Sequence, residues 1–210
     1  MDSTTDELLM LRVRDGEVEK LGVLYERHRT PLFNFFVRLT GSSPVSEDLV
    51  HDVFLRMLKY RYTFEAGNQF TSWMYRVARN AHVDSWRKRQ HEVSLEAQSM
   101  DERDAVPSPD PAPDLKLRQS QEVTLLQTAL AGLPLESREV LVLSRFQNLK
   151  YEEIARILDC GVGAVKMRMH RALGELREKF SRLTGESRCN PTSPANQQQS
   201  TTSGKAGGMK

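Results

Sequence analysis

Proline occupies every second position from 107 to 113, and this pattern divides the chain. Each proline removes a backbone N–H donor and disfavours helix at the residue before it. The surrounding segment, 92–114, also carries seven acidic residues against a single arginine. We therefore expect residues 92–114 to form an extended, flexible acidic linker between two separately folded parts.

A second change of composition begins at residue 184. Residues 184–210 are mostly Gly, Ser, Thr, Gln and Asn, with very few apolar side chains. Such a segment buries too little apolar surface to offset the entropy of ordering it. We expect a disordered tail over 184–210, which leaves two small folded domains, 1–91 and 115–183.

Apolar residues recur three or four positions apart in both domains, and no segment shows the strict alternation of a strand. In the first domain this spacing predicts helices over 5–14, 17–29, 32–39, 43–60 and 70–89, with Pro31 separating the second from the third. In the second domain it predicts helices over 123–131, 137–146, 151–158 and 164–180. The predicted fold class is all-α, with two small helical domains joined by a flexible linker.

The last two predicted helices are joined by the short segment 159–163, which is the arrangement of a helix-turn-helix. In the last helix, one stripe is apolar and faces the predicted core: Val165, Met169, Ala172, Leu176 and Phe180. The remaining surface is rich in cations, which favours reading of the DNA major groove. The alternative is a solvated amphipathic helix that ends a bundle.

Several classes of protein are excluded by what the sequence lacks. No apolar run approaches the roughly 18 residues of a membrane span, and the first residues are acidic and polar. The two cysteines are too few for a disulfide framework, which favours a reducing cytoplasm. The histidines lack metal-ligand spacing, and no nucleophile, phosphate loop or carboxylate pair is present. We expect no metal, no cofactor, no catalytic activity and no membrane insertion.

Two groups of motifs resemble a known family. Segments 133–141, 151–155 and 162–172 resemble region 4 of sigma factors, which binds the −35 promoter element. Segments 47–54 and 70–80, followed by Asp84 and Arg87, resemble region 2, which binds core polymerase and the −10 element. The chain is therefore similar to the extracytoplasmic-function (ECF, group 4) sigma factors of bacterial RNA polymerase, in the sigma-70 family.

The resemblance implies three sets of site residues. The −35 set is Lys166, Met167, Arg168, His170 and Arg171. The −10 set is Asn68, Arg76, Arg79, Asn80 and Arg87. The core-polymerase set is Asp48, His51, Asp52, Phe54 and Leu58. For Phe54 and Leu58 a role in the hydrophobic core is an equal alternative, and Trp73 is expected in the core rather than as a base-stacking platform.

The implied function is that of a sigma factor that binds core RNA polymerase, directs it to specific promoters and helps to open the −10 region. The implied partners are core RNA polymerase, promoter DNA and an anti-sigma factor. The alternatives are a two-domain helix-turn-helix regulator that binds an operator and an enzyme with a DNA-binding appendage. We also expect the linker to let the two domains pack together in the absence of polymerase, which would hide both DNA-binding surfaces.

Overall fold

The computed structural model describes residues 4–96 and 115–184, with side chains described at 4–89 and 123–184. Within these ranges the chain forms eight α-helices and no strand. The N-terminal unit contains α1 (Asp6–Arg14), α2 (Lys20–Thr40), α3 (Ser43–Lys59) and α4 (Phe70–Glu96). The C-terminal unit contains α5 (Leu115–Ala131), α6 (Leu135–Leu141), α7 (Tyr151–Leu158) and α8 (Val162–Thr184). The all-α expectation is confirmed.

The helix bounds differ from the sequence pattern at several places, and the helix predicted over 137–146 is α6 followed by the π-helical turn Val142–Phe146. The separate helices expected on either side of Pro31 are one helix, α2, because the buried stripe of Leu24, Leu32 and Phe35 continues through the proline. Helix α4 extends to Glu96 and so enters the predicted linker, whereas α5 begins at Leu115, well before the predicted start. The rest of that linker, 97–114, and residues 185–210 of the predicted tail lie outside the described residues.

Local sequence explains where several helices begin and end. Thr5 caps α1, and its hydroxyl oxygen accepts a hydrogen bond from the Leu8 amide at 3.3 Å. Gly41 ends α2 with a φ of 71°, which a glycine adopts without steric cost. Asp159 ends α7 in the left-handed conformation, with a φ of 51°, and so turns the chain from α7 into α8. The predicted helix-turn-helix therefore forms from α7 and α8.

The two units pack against each other around a continuous apolar core. Helix α4 lies against α7, and α2 contacts both α5 and the π-helical turn Val142–Phe146 that follows α6. In the N-terminal unit the largest fully buried side chains include Phe35, Phe36 and Phe64. None of the described helices has the length and apolarity that a bilayer crossing requires.

Candidate DNA and polymerase interfaces

Helix α8 presents the predicted −35 residues away from the core. Val165, Met169 and Ala172 are buried on its opposite side, as the periodicity predicts. Lys166, His170 and Arg171 are exposed, and Met167 is 68% exposed. Arg168 is half-buried on the side towards Glu139; burial raises the pKa of that carboxyl group, and Arg168 is a minor influence in the opposite direction. We call the five predicted residues the α8 cationic face, and four of them are fully available to a ligand.

Helix α4 carries the predicted −10 residues, and the structure divides them. Arg76, Asn80 and Arg87 are exposed on the helix, and Asn68 is exposed in the preceding loop. Arg79 instead donates from Nε to Oε2 of Glu139, on α6, at 3.1 Å. We call Arg76, Arg79, Asn80 and Arg87 the α4 cationic face. One of its cations is therefore engaged by the C-terminal unit.

Packing of the two units was expected to hide both DNA-binding surfaces, and the outcome differs between them. The units do pack together, and on the α4 cationic face Arg79 pairs with Glu139 with its side chain 29% exposed, while Arg76, Asn80 and Arg87 stay exposed, so that surface is hidden only in part. For α8 the expectation is wrong, because that helix meets the rest of the molecule through the apolar side that holds Val165 and Met169. Its cationic face therefore points outward in the same arrangement.

A cluster of ionisable groups surrounds the Arg79–Glu139 pair. Glu139 is 2% exposed, and burial raises the pKa of its carboxyl group while Arg79 opposes that rise. His82, one turn after Arg79, is 3% exposed, and burial together with Arg89, Arg138 and Arg79 lowers its pKa to about 4. A charged imidazole is disfavoured there because it would lose hydration beside three cations.

The expected polymerase-binding helix, α3, shows both exposed and buried members of its set. Asp48 and His51 are exposed. Asp52 is half-buried and accepts from Arg56 Nε at 2.9 Å, while Arg56 also donates to Asp84 on α4 at 2.6 Å. Leu58 is partly buried and packs on the core.

Phe54 is 6% exposed and meets the Tyr25 ring edge-on, with centroids 4.9 Å apart, so it belongs to the core in this arrangement. Its neighbour Leu55 is 67% exposed, an exposed apolar side chain that the sequence analysis did not single out. An apolar residue just outside the buried stripe of an amphipathic helix is the signal that would have identified it.

Two further features escaped the sequence analysis. Tyr62 is 68% exposed, and the Arg61 guanidinium lies 4.3 Å from its ring centroid, beside the loop that leads to α4. Glu139 has no predicted role, yet it is a single acid directly before four apolar residues, 140–143. That context is a signal of a buried carboxylate, which requires a partner. Trp73, by contrast, is buried as expected and donates from Nε1 to Thr63 Oγ1 at 3.2 Å.

Comparison with known proteins identifies both halves of the molecule. Residues 24–92 match the model of Sigma-70 region 2, and residues 124–176 match that of Sigma-70, region 4. RNA polymerase sigma factor CarQ of Myxococcus xanthus is 30% identical over 174 residues, which are 83% of this chain and 97% of that protein. ECF RNA polymerase sigma factor SigE of Mycolicibacterium smegmatis is 32% identical over 163 residues, 78% of this chain and 62% of that relative's length.

A solved structure agrees with these matches. The sigma factor RpoE from Bartonella quintana, crystallised in complex with the anti-sigma factor NepR, is 26% identical with a TM-score of 0.59. The similarity covers 80% of this chain and 98% of that one. The chain belongs to the sigma-70 family of RNA polymerase sigma factors. Within that family it is an ECF sigma factor, which directs RNA polymerase to promoters.

Proposed function

We propose that the N-terminal unit is the part that binds core polymerase and the −10 element, and that the C-terminal unit binds the −35 element. The N-terminal unit corresponds to the predicted domain 1–91 and the C-terminal unit to the predicted domain 115–183. Residues 92–114 are the proposed linker and 184–210 the proposed tail. The order of the two family matches along the chain supports this division. The observation that carries the proposal is the cationic face on the second helix of a formed helix-turn-helix.

At the −35 element, the α8 cationic face enters the major groove. Arg171 and Lys166 are exposed and project from the side opposite the buried stripe, so they reach DNA without loss of core packing. Arginine is suited to a guanine edge, and Met167 offers an apolar contact to a thymine methyl group. His170 and Arg168 complete the set.

At the −10 element, the α4 cationic face follows the backbone of the single strand. Arg76, Asn80 and Arg87 lie on the helix as charged and polar side chains that solvent reaches. Cations at this spacing bind phosphates, and an amide holds an unstacked base. Asn68 extends the same surface into the loop before α4. Arg79 joins this set once Glu139 releases it.

For core polymerase, the exposed side of α3 is the docking surface, centred on Leu55 with Asp48 and His51 near it. An exposed apolar side chain surrounded by polar groups is a typical centre of an interface. Asp52 contributes through its ion pair with Arg56, which fixes its orientation. Leu55 replaces Phe54 as the anchor, because the Phe54 ring is held in the core.

An anti-sigma factor is a further proposed partner. The similar RpoE structure was solved with the anti-sigma factor NepR, and we extend that type of partner to this chain. A sigma factor acts with RNA polymerase, so the proposed location is the cytoplasm. We propose that the chain contributes recognition of promoter and polymerase rather than a catalytic group of its own.

Gel filtration with bacterial core RNA polymerase tests the assignment. The full chain should co-elute with core polymerase, and the holoenzyme should support transcription from a promoter that core polymerase alone ignores. Asp48→Arg should reduce co-elution by reversing a charge at the α3 surface. Glu26→Arg, an exposed reversal on α2, is the matched control. A dimer that ignores core polymerase would instead support the operator-binding regulator.

A further inference from the structure

Helix α1 lies outside the segment that matches Sigma-70 region 2, which begins at residue 24. Its apolar side is buried in the core of the N-terminal unit, and no residue of this helix belongs to the three sets of site residues. Two of its charged side chains nevertheless bind the backbone around the α3–α4 loop, residues 60–69. This loop carries Asn68 of the proposed −10 set.

The first of these contacts lies at the end of the loop, where α4 begins. Glu7 Oε1 accepts a hydrogen bond from the backbone amide of Phe70 at 3.2 Å. Phe70 is the first residue of α4, so its amide has no acceptor within its own helix. A carboxylate is also favoured there because it faces the positive end of the helix dipole. Glu7 therefore caps α4 from another helix of the same unit.

The second contact lies near the middle of the loop. Arg14 donates from Nη1 to the carbonyl oxygen of Phe64 at 3.5 Å, and the Phe64 side chain is fully buried. After Phe64, residues 65–69 are all exposed, and Gly67 turns the chain with a φ of 91°. Helix α1 therefore holds the backbone at both ends of the exposed segment that contains Asn68.

The start of α1 is itself fixed by Asp6, the residue before Glu7. Its carboxylate oxygens bind Arg27 Nη1 at 2.7 Å and His28 Nε2 at 2.6 Å, both on α2. The His28 ring lies against the Phe70 ring, with centroids 5.1 Å apart. The position of the Glu7 carboxylate is therefore set by α2 as well as by α1.

We propose that Glu7 is a positioning residue for recognition of the −10 element. Together with Arg14, it holds the exposed segment 65–69 in the conformation that receives a base of the opened strand. The proposal rests on the assignment of Asn68 and α4 to the −10 element. A loop that is ordered before binding avoids the entropy cost of being ordered by the ligand. Glu7 acts through the backbone and does not touch the DNA.

Variants of the full chain separate this role from a general effect of charge. Glu7→Ala removes the acceptor at Phe70, whereas Glu7→Gln keeps a side-chain oxygen in the same place without the charge. Glu17→Ala is the matched control, because it removes an acid that pairs with Arg12 on α1. Circular dichroism verifies that each variant keeps the helix content of the wild type.

Arg14→Gln tests the second contact by an independent change. Its control is Asp15→Asn, which breaks the exposed ion pair between Arg14 and Asp15 and leaves the guanidinium group in place. Should Glu7→Ala fail to fold, Arg14→Gln and Glu7→Gln still test whether α1 orders the loop.

Amide hydrogen exchange in the free chain measures the order of the loop. In Glu7→Ala the exchange rate of the Phe70 amide should rise roughly fivefold, as expected for loss of a helix cap, and the amides of 65–69 should follow. Glu7→Gln should raise these rates less. Arg14→Gln should raise the rates within 65–69, and both control variants should keep the wild-type rates.

Open-complex formation by the holoenzyme measures the consequence for DNA. At a promoter that the wild-type holoenzyme transcribes, Glu7→Ala should lower open-complex formation roughly fivefold. It should also reduce the discrimination among single-base variants at one position of the −10 element, and Glu7→Gln should restore most of that discrimination. Selectivity for −35 variants and co-elution with core polymerase should stay at the wild-type level.

Three results would overturn the proposal. The first is wild-type exchange at Phe70 and 65–69 in Glu7→Ala. The second is faster exchange with unchanged discrimination at the −10 element, which would limit the cap to a role in the fold. The third is an equal loss of selectivity at both promoter elements. Failure of the wild-type chain to co-elute with core polymerase would instead contradict the proposed function, so the two failures are distinguishable.

Discussion

Helices α4 and α8 both carry a cationic face, yet they differ in what covers it. On α8 the apolar stripe is buried within its own unit, so the opposite face is exposed however the two units are arranged. On α4 the cationic face lies on the same side of the helix as residues that contact the C-terminal unit, and Arg79 is paired with Glu139. The state of α8 is a local property, whereas that of α4 depends on the contact between units.

The largest expected effect concerns two adjacent residues on α3, of which Phe54 is buried and Leu55 is exposed. Phe54→Ala should lower the free energy of unfolding by about 3–5 kcal/mol, because it leaves a cavity in the core. Leu55→Ala should change it by less than about 0.5 kcal/mol and weaken binding to core polymerase instead. Urea denaturation and gel filtration with core polymerase measure the two effects. A Leu55→Ala variant that is destabilised but binds core polymerase normally would show that Leu55 serves the fold and not the polymerase interface.

The next effect concerns acid stability near the contact between the units. The folded chain keeps His82 neutral down to about pH 4, since its pKa falls from 6.5 to about 4. The unfolded chain protonates this imidazole near pH 6.5. Above that pH His82 does not lower the free energy of unfolding, which then decreases as the pH falls from 6.5 towards 4. The loss should amount to at most about 3 kcal/mol.

His82→Gln should therefore make the free energy of unfolding less dependent on pH between 7 and 5. His170→Gln, which alters an exposed histidine on α8, should keep the wild-type dependence. Urea denaturation at several pH values provides the comparison. Identical pH profiles for wild type and His82→Gln would show that His82 is not held neutral by its burial and by the nearby Arg89, Arg138 and Arg79.

On α8, removal of a cation should affect DNA binding and spare the fold. If Arg171 reads a guanine edge, Arg171→Ala should cost about 1–3 kcal/mol at that base and relax selectivity there. Lys166→Ala should instead weaken binding to all sequences about equally and reduce the salt slope by about one ion. Holoenzyme binding to single-base −35 variants at two salt concentrations measures both. If both variants bind every −35 sequence as the wild type does, α8 is not the helix that reads the −35 element.

The smallest expected effect lies where α2 meets the π-helical turn. The Arg38 guanidinium is 4.3 Å from the Phe146 ring centroid. Phe146→Leu in the full chain should lower the free energy of unfolding by about 0.5–1 kcal/mol. Arg38→Gln should have a similar effect, and the double variant should add little to either. Strict additivity of the two changes would show that the ring and the guanidinium do not interact.

The sequence predicts the fold class and the orientation of α8 well, because both follow from apolar periodicity within one helix. Asp159, which ends α7 with a φ of 51°, is likewise of a residue type that tolerates a left-handed turn. The pairing of Arg79 with Glu139 was not predictable, because the two residues are 60 positions apart and meet only when the units pack. Phe54 and Leu55, by contrast, could have been separated from the sequence, because Phe54 lies on the stripe that holds Val50 and Met57 and Leu55 lies just outside it.

The distance between the units, free and on a promoter, tests the central claim most directly. Spin labels at Glu26→Cys on α2 and Arg177→Cys on α8, in a chain with Cys160→Ser and Cys189→Ser, report it by double electron–electron resonance. The free chain should give one short, narrow distance distribution. Addition of core polymerase and promoter DNA should shift that distribution to a clearly longer distance. An unchanged distribution in a transcriptionally active complex would contradict the account, because both cationic faces would then act without separation of the units.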